Sequence, residues 1–297
     1  MKIAACLGVK DEVDLVRAAI EHLRAIGVDY IIASDANSTD GTEVILASYA
    51  KGPGFEVATF DDLTMDAAEE EAATADIFDR ARAAGADWLL FCDADEFPMP
   101  RGGQLRNVAA LPRADALIVP RYNVPLLDGG PRLPHGSAAQ WRDQVLVYAP
   151  DEDRSQTQSR IRQDGTAPWI ASVPGPKLMA RTAKVSSTAE AHHDIVARDG
   201  GKVITEVPVD LFIAHVPFST ASRFDRKVQN IRTVVAANGT AWGPDSAWHW
   251  RRWLDNVDSR GGVAAEMARN LVTDADLSEL RRLGVVKSAG QVWDRQA

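Results

Sequence analysis

The sequence is poor in cysteine, and its two cysteines, Cys6 and Cys92, each stand inside an apolar run. They form neither a disulfide framework nor the spacing of a metal site, so we expect two buried, reduced thiols. No apolar run approaches the roughly 18 residues of a membrane-spanning helix. The stretch 1–14 turns acidic after a short apolar run, which does not fit a secretory signal. These absences predict a cytoplasmic protein without a transmembrane segment.

Basic residues are outnumbered as well: 33 lysines and arginines stand against 42 aspartates and glutamates, a formal net charge of −9. An acidic chain without a long basic run is a poor match for nucleic acid, and we expect no such partner. Any phosphate that the protein binds must therefore be met locally, by a metal ion, a helix N-terminus or a few well-placed basic side chains.

The first 100 residues alternate strand and helix patterns. Apolar runs predict strands at 2–9, 30–33, 55–60 and 88–92. Helices are predicted from Asp11 to the stop at Gly27, from the turn 37–41 through Tyr49, and over 65–84. This alternation implies right-handed crossovers and a mostly parallel sheet, so the predicted fold class is α/β and Rossmann-like.

Beyond Phe97 the periodicity is weaker. Strands are predicted at 116–120, 144–148, 177–180 and 210–216. The charged stretch 151–165 is predicted to be a mobile surface loop, and the chain is predicted to be largely helical from Ser222. Trp248, Trp250 and Trp253 could stack on sugars, but tryptophans at this spacing more often pack a terminal helix onto a core, which we expect here.

Two aspartates follow the fourth predicted strand directly. Asp93 and Asp95, at positions i and i+2, can both turn toward one divalent cation. Mn²⁺ or Mg²⁺ takes oxygen ligands and readily bridges a diphosphate. With Glu96 beside them, three acidic groups repel one another unless a cation or a proton offsets their charge. Ligands of parallel sheets bind at the carboxyl ends of strands, where this motif lies.

Other interpretations of this motif remain open. It could be a solvated acidic turn. It could also be the aspartyl nucleophile of haloacid-dehalogenase-like phosphatases, but in those proteins the motif usually ends the first strand and is followed by threonine. Here the motif ends the fourth predicted strand, and Glu96 takes the threonine position.

A second polar segment, 35–42, follows the second predicted strand. Asp35 at the strand end can accept hydrogen bonds from a ribose or a base edge. Asn37 and Ser38 are typical turn and capping residues for the helix that follows. A purely structural capping turn is the alternative.

Together, the segments 8–12 (Gly-Val-Lys-Asp-Glu), 35–42 and 93–97 (Asp-Ala-Asp-Glu-Phe) resemble the GT-A-fold glycosyltransferases. The family-two-like branch, with motifs Lys-Asn-Glu, Asp-Asn-x-Ser-x-Asp-Gly-Thr and Asp-x-Asp-Glu-Phe, is the most similar. This sequence has Asp11 in place of asparagine, and Ala36 intervenes before the asparagine of the second motif.

A weaker likeness continues through 175–181, 192–193 and 213–219 to Phe224 and Lys227, so the resemblance covers roughly residues 2–230. It implies a GT-A-like catalytic domain, 1–220, with a nucleotide-binding half (1–100) and an acceptor half (101–220). Residues 221–297 would form a helical C-terminal extension packed on the core.

The resemblance implies an enzyme that moves a sugar from a UDP- or GDP-linked donor to an unknown acceptor hydroxyl, with inversion and with Mn²⁺ or Mg²⁺. The residues expected at the nucleotide are Val9, Lys10, Glu12, Asp35, Asn37, Asp40, Asp93 and Ala94. Among these, Asp35 would contact the base or the ribose. The residues expected to hold the metal are Asp93, Asp95 and His215, with His193 as the rival late histidine.

The metal would offset the negative charge that develops on the leaving diphosphate. The further residues expected at the substrate are Glu96, Lys177, Arg181 and His193. Lys177 or Arg181 would add fixed positive charge near the β-phosphate.

An inverting enzyme also needs a carboxylate base for the acceptor hydroxyl. The candidates are Asp143, Asp151, Glu152 and Asp153, of which Asp143, between Trp141 and a predicted strand, is our choice. A nucleotide-sugar-binding protein without turnover is one alternative, although degenerate sites tend to lose their metal ligands. A nucleotidyltransferase is another, but its usual Gly-rich basic loop does not match the short, acidic segment 8–12.

Overall fold

The computed structural model describes residues 1–59, 67–189, 194–238 and 247–296. Its strands are β1 (Ile3–Val9), β2 (Tyr30–Asp35), β3 (Phe55–Thr59), β4 (Trp88–Asp93), β5 (Glu96–Pro100), β6 (Ala116–Val119), β7 (Arg121–Asn123), β8 (Leu126–Leu127), β9 (Leu146–Tyr148), β10 (Lys177–Arg181), β11 (Val185–Ala189), β12 (Asp194–Ala197), β13 (Thr205–Glu206), β14 (Leu211–His215), β15 (Leu271–Val272) and β16 (Val286–Ser288). Its helices are α1 (Val16–Ala25), α2 (Thr42–Tyr49), α3 (Ala67–Ala83), α4 (Ala138–Gln144), α5 (Arg154–Gln163), α6 (Ala221–Asn238), α7 (Trp248–Ser259), α8 (Gly262–Asn270), α9 (Asp274–Arg282) and α10 (Ala289–Gln296).

The larger sheet has the strand order β13-β6-β10-β4-β1-β2-β3. Strands β4, β1, β2 and β3 are parallel, and α1, α2 and α3 connect them in sequence. β1 and β4 are almost wholly buried because helices and a second sheet cover both faces, which explains their continuous apolar runs. The predicted α/β, Rossmann-like fold class is confirmed. Cys6 and Cys92, on these two strands, are buried free thiols.

A second sheet, in the order β16-β9-β7-β14-β5, joins the first at the end of β4. Only Ala94 and Asp95 separate β4 from β5, so the chain passes from one sheet to the other at the acidic motif. β14 lies between β5 and β7, with His215 opposite Glu96 on one side and opposite Asn123 on the other. Strand β5 was not predicted, because it contains two prolines, Pro98 and Pro100, and proline is uncommon inside strands.

Two predicted elements differ in the structure. The stretch 151–165 is not a loop but contains α5. The side chain of Asp153 accepts a hydrogen bond from the backbone N–H of Gln156, and the backbone N–H of Asp153 donates to Oε1 of Gln156 in return. This capping box was present in the sequence and was overlooked. α1 begins at Val16 rather than at Asp11, because Asp11 has a positive φ of 52°.

The C-terminal segment is helical, as predicted, but is more closely integrated than a packed extension. β15 pairs with β8, and β16 pairs with β9. Trp253 is 2% exposed, and its ring contacts those of Phe224 and Trp169, so the expected packing role is confirmed for this tryptophan. Within the residues that the structure describes, no helix combines the length and the apolar character needed to cross a bilayer.

His22 gives the fold a measurable pH dependence. It is buried on α1 between the rings of Phe97 and Trp141, and its Nε2 lies 2.7 Å from the carbonyl oxygen of Pro98. Burial lowers the pKa of His22 to about 4. Below pH 6.5 the unfolded chain binds a proton at this residue and the folded chain does not, so stability is lost as pH falls from about 6.5 to 4.

We expect His22 to account for a loss of about 3 kcal/mol in unfolding free energy across this window. Urea unfolding at pH 7 and pH 4.5 would measure it. His22→Gln should flatten that part of the pH dependence, whereas His135→Gln, at an exposed histidine, should leave it unchanged. Equal pH dependence in the wild type and His22→Gln would contradict the assignment.

Candidate active site

The acidic motif lies against β1. Gly8 is opposite Asp93 in the parallel pairing of β1 with β4, and its carbonyl oxygen accepts a hydrogen bond of 2.9 Å from the backbone N–H of Ala94. A Cβ atom at Gly8 would lie 2.9 Å from Oδ1 of Asp93, closer than side chains normally approach. The glycine therefore lets the Asp93 carboxylate lie against the first strand.

Asp95 is the most enclosed aspartate of the motif, at 3% exposure. Its Oδ2 accepts hydrogen bonds from Nζ of Lys227 at 2.7 Å and from Nη2 of Arg223 at 2.8 Å. Arg223, 1% exposed, also binds Glu12 through Nε and Nη2 at 2.6 and 2.7 Å. One buried guanidinium on α6 thus joins the loop after β1 to the turn after β4.

Asp93 and Glu96 share a second set of cations. Nζ of Lys177 lies 2.8 Å from Oδ2 of Asp93 and 3.5 Å from Oε2 of Glu96. Arg121 pairs with Oε1 of Glu96 and donates from Nε to the carbonyl oxygen of Gly175 at 2.8 Å. Glu96 also accepts a hydrogen bond from the backbone N–H of Asp93, which fixes the turn.

We name two groups of residues. The carboxylate cluster consists of Glu12, Asp93, Asp95 and Glu96. The cation set consists of Arg121, Lys177, Arg223 and Lys227. The repulsion expected between neighbouring carboxylates is thus already offset by basic side chains of the chain itself.

Charge pairing governs the protonation of the two aspartates of the cluster. Burial alone would raise the pKa of Asp95, but Lys227, His215 and Arg223 hold it well below its usual value. Burial acts on Asp93 in the same way, and Lys177 is the main reason that its pKa is lowered. Both aspartates are therefore ionised at neutral pH.

The geometry also suits a metal ion. Asp95, Glu96 and His215 each offer one ligand atom within 4.8 Å of the others. Nε2 of His215 lies 3.7 Å from Oδ2 of Asp95. Carboxylate oxygens with one imidazole nitrogen form a donor set that Mn²⁺ accepts and Mg²⁺ tolerates. Of the predicted ligands, the structure brings Asp95 and His215 together, adds Glu96 and places Asp93 beside Lys177.

Asp35 lies at the end of β2, two strands away from the cluster, and is 5% exposed. Its Oδ1 accepts a hydrogen bond from the backbone N–H of Ser38 at 3.1 Å. It lines a cavity of about 410 Å³ with Leu46, Val57 and Thr59 among its other walls. The cavity thus opens beside the residue that was predicted to contact a base or a ribose.

The model of glycosyltransferase family 92 matches residues 3–199, well over half of the chain. The chain belongs to glycosyltransferase family 92. The prediction of a sugar-transferring enzyme is confirmed at this level, whereas its placement in a family-two-like branch stays a prediction. No curated protein matches the sequence.

Several solved structures are similar to this family 92 chain. S. aureus TarS 1-349 is 13% identical, with a TM-score of 0.35, over 91% of this chain and 71% of that one. The same protein in complex with UDP is 13% identical, with a TM-score of 0.38, over 86% and 70%. HddC from Yersinia pseudotuberculosis is 12% identical, with a TM-score of 0.38, over 73% and 95%. TM-scores of this size transfer no property to the family 92 chain.

Other residues predicted at the nucleotide hold the loops of the family 92 chain together. Nζ of Lys10 donates to the carbonyl oxygen of Asn37 at 2.8 Å. The carbonyl oxygen of Val9 accepts a hydrogen bond from the backbone N–H of Ala36. Asp40 accepts hydrogen bonds from the backbone N–H groups of Thr42 at 3.0 Å and Val13 at 3.2 Å. These contacts hold the segments that follow β1 and β2 against each other beside Asp35.

The structure does not bring every predicted residue to the site. Arg181 is at the far end of β10, opposite Trp88 at the start of β4; it donates to the carbonyl oxygens of Ala114 and Leu111 and lies over the Trp88 ring. A strand of five residues has its ends at opposite edges of a sheet, so Lys177 reaches the cluster and Arg181 does not. His193 lies outside the described residues.

The candidate bases are also elsewhere. Asp143 is exposed on α4, a helix that packs against α10. Asp151 pairs with Lys287 and Arg295, Glu152 pairs with Arg160, and Asp153 caps α5. Asp143 therefore stays a prediction without a contact to the carboxylate cluster.

Three residues of the candidate site were not predicted from the sequence, namely Arg121, Asn123 and Arg223, and Lys227 was noted only within the weaker likeness. Arg223 had a detectable signal, because it precedes Lys227 by four positions and such residues share one face of a helix. Arg121 and Asn123 alternate with Tyr122 on a three-residue strand, which is too short for a recognisable pattern.

Proposed function

We propose that this chain transfers a sugar from a UDP- or GDP-linked donor to an acceptor hydroxyl, with inversion and with Mn²⁺ or Mg²⁺ at the Asp-x-Asp motif. The main support is the buried carboxylate cluster at the carboxyl end of β4, on the same sheet edge as the cavity beside Asp35. The strands that carry Asp93 and Asp35 flank β1, so their ends are about 10 Å apart, a distance that a nucleotide spans from its base to its phosphates.

Each group has a definable role in this proposal. Asp95 and His215, with Glu96 or Asp93, would hold the metal, which supplies a Lewis acid for the leaving diphosphate. The ammonium groups of Lys177 and Lys227 lie at the rim of the cluster, where each can donate to a phosphate oxygen. Arg223 is enclosed and fully paired, so it orients Glu12 and Asp95 and does not reach the substrate.

Thermal unfolding with a panel of UDP- and GDP-linked sugars, in Mn²⁺ and in EDTA, tests the proposal. We expect one donor to raise the unfolding temperature only when Mn²⁺ is present; at 100 times its dissociation constant it would add about 2.7 kcal/mol. Asp35→Asn should weaken the nucleotide-dependent shift. Equal stabilisation in EDTA would count against the metal, and no shift with any donor would count against the function.

Donor hydrolysis separates an enzyme from a binding protein. A transferase should release the nucleoside diphosphate slowly in the presence of Mn²⁺, with water as the acceptor, and should do so much less in EDTA. Binding without any release over hours would favour the alternative of a nucleotide-sugar-binding protein.

A further inference from the structure

Asn123 lies directly beside the histidine of the candidate metal site. β7 and β14 are parallel neighbours with Asn123 opposite His215, and Asn123 is 0% exposed. Its Oδ1 is 2.8 Å from Nδ1 of His215. The other ring nitrogen, Nε2, faces Oδ2 of Asp95 at 3.7 Å. The imidazole thus has one nitrogen toward the asparagine and the other toward the carboxylate cluster.

The orientation of the Asn123 amide follows from its other contacts. Nδ2 donates to the backbone carbonyl oxygen of Ser172 at 2.8 Å and lies 3.3 Å from that of Ile170. Carbonyl oxygens only accept hydrogen bonds, so the NH₂ group must be on this side and Oδ1 must face His215. Because Oδ1 also only accepts, Nδ1 of His215 must carry the proton of the shared hydrogen bond.

We propose that Asn123 is a positioning residue that holds His215 in the Nδ1-protonated tautomer, which keeps the lone pair of Nε2 directed at the carboxylate cluster. The role of this tautomer in metal binding rests on the proposed function, since a metal binds the unprotonated nitrogen. The assignment of the tautomer rests only on the hydrogen bonds of Asn123. Without Asn123, the proton would be favoured on Nε2, which faces the negative Oδ2 of Asp95 at 3.7 Å, and the lone pair would be lost to the site.

The tautomer can be measured in the metal-free protein by ¹⁵N–¹H correlation spectra of the histidine side chains. We expect the wild type to show His215 protonated at Nδ1, and Asn123→Leu, of similar volume, to show it protonated at Nε2. His215→Gln identifies the signal. A wild-type spectrum with the His215 proton on Nε2 would overturn the proposal, and this measurement does not depend on whether Asn123→Leu folds.

Mn²⁺ affinity, measured by titration calorimetry without donor or turnover, tests the consequence. Asn123→Leu should bind Mn²⁺ about 10–100-fold more weakly, the range typical of partners that orient metal-binding histidines. Asn123→Asp should retain most of the affinity, because a carboxylate oxygen also accepts from Nδ1. Ser172→Ala serves as the matched control, because it removes only the hydroxyl 3.4 Å from Nδ2 of Asn123 and keeps the backbone carbonyl oxygen at 2.8 Å.

The two proposals fail differently. Equal Mn²⁺ affinity in the wild type and Asn123→Leu would overturn the positioning role. A wild type that shows the Nδ1 proton and binds no Mn²⁺ would overturn the proposed metal site while supporting the role of Asn123 in fixing the tautomer.

Discussion

Arg223→Leu is expected to lower the free energy of unfolding by about 3–5 kcal/mol, the usual result of removing one partner from a buried ion pair. Arg223 is 1% exposed and is bound by both Glu12 and Asp95. Its loss would leave two carboxylates enclosed and facing each other. Urea unfolding at pH 7.5 measures the change.

The matched control is Arg232→Leu on the same helix, where Arg232 forms an exposed pair with Asp258. Such surface pairs contribute about 0–1 kcal/mol.

Burial already raises the pKa of Glu12 despite the opposing effect of Arg223, and removal of Arg223 would raise it further. A carboxyl group whose pKa is raised by folding stabilises the folded protein at low pH, where the group is protonated. This contribution to stability is lost as pH rises. The cost of Arg223→Leu should therefore be smaller at pH 5 than at pH 8; equal costs for Arg223→Leu and Arg232→Leu would contradict the account.

Asp95→Asn is expected to reduce sugar transfer by about 10³-fold or more, because it removes charge from the centre of the electrostatic site. Asparagine has the same shape as aspartate, so the fold should persist. It should nevertheless be less stable by about 2 kcal/mol, since Lys227 and Arg223 lose a charged acceptor. Initial rates with the donor found by thermal unfolding, together with urea unfolding, would measure both effects.

Asp258→Asn provides the comparison for Asp95→Asn: the same chemical change at an exposed aspartate that also pairs with an arginine. It should leave transfer unchanged and cost less than 1 kcal/mol. If Asp95→Asn retained more than about a tenth of wild-type transfer, Asp95 would not belong to the catalytic centre.

The parallel half of the fold could be predicted because β1, β2 and β4 are largely buried apolar runs, and the helices α1, α2 and α3 connect its four strands in sequence. Asp35, Asp93 and Asp95 were identifiable for a related reason, since polar residues directly after such strands share one sheet edge. The local sequence pattern was therefore sufficient to predict both the parallel strands and the position of these three aspartates at one sheet edge.

The cationic half of the site could not be predicted in this way. Arg223 is 211 positions from Glu12, and Lys177 is 84 positions from Asp93, so only the packing of α6 and the antiparallel insertion of β10 bring them together. The second sheet could not be assembled for the same reason. Strands were predicted where β9 and β14 lie, but their pairing depends on β5, β7 and β16, which were not predicted. Arg181 shows the converse error, because proximity to Lys177 in sequence did not imply proximity in space.

Arg223 and Lys227 both lie beyond residue 199, where the match to the family ends. A fragment that stops there would keep all four acidic side chains and lose two of the positive charges that neutralise them. Helix α6 therefore supplies two of the four positive charges that offset the carboxylate cluster, so a displacement of α6 from β1 would make the net charge around that cluster more negative by two.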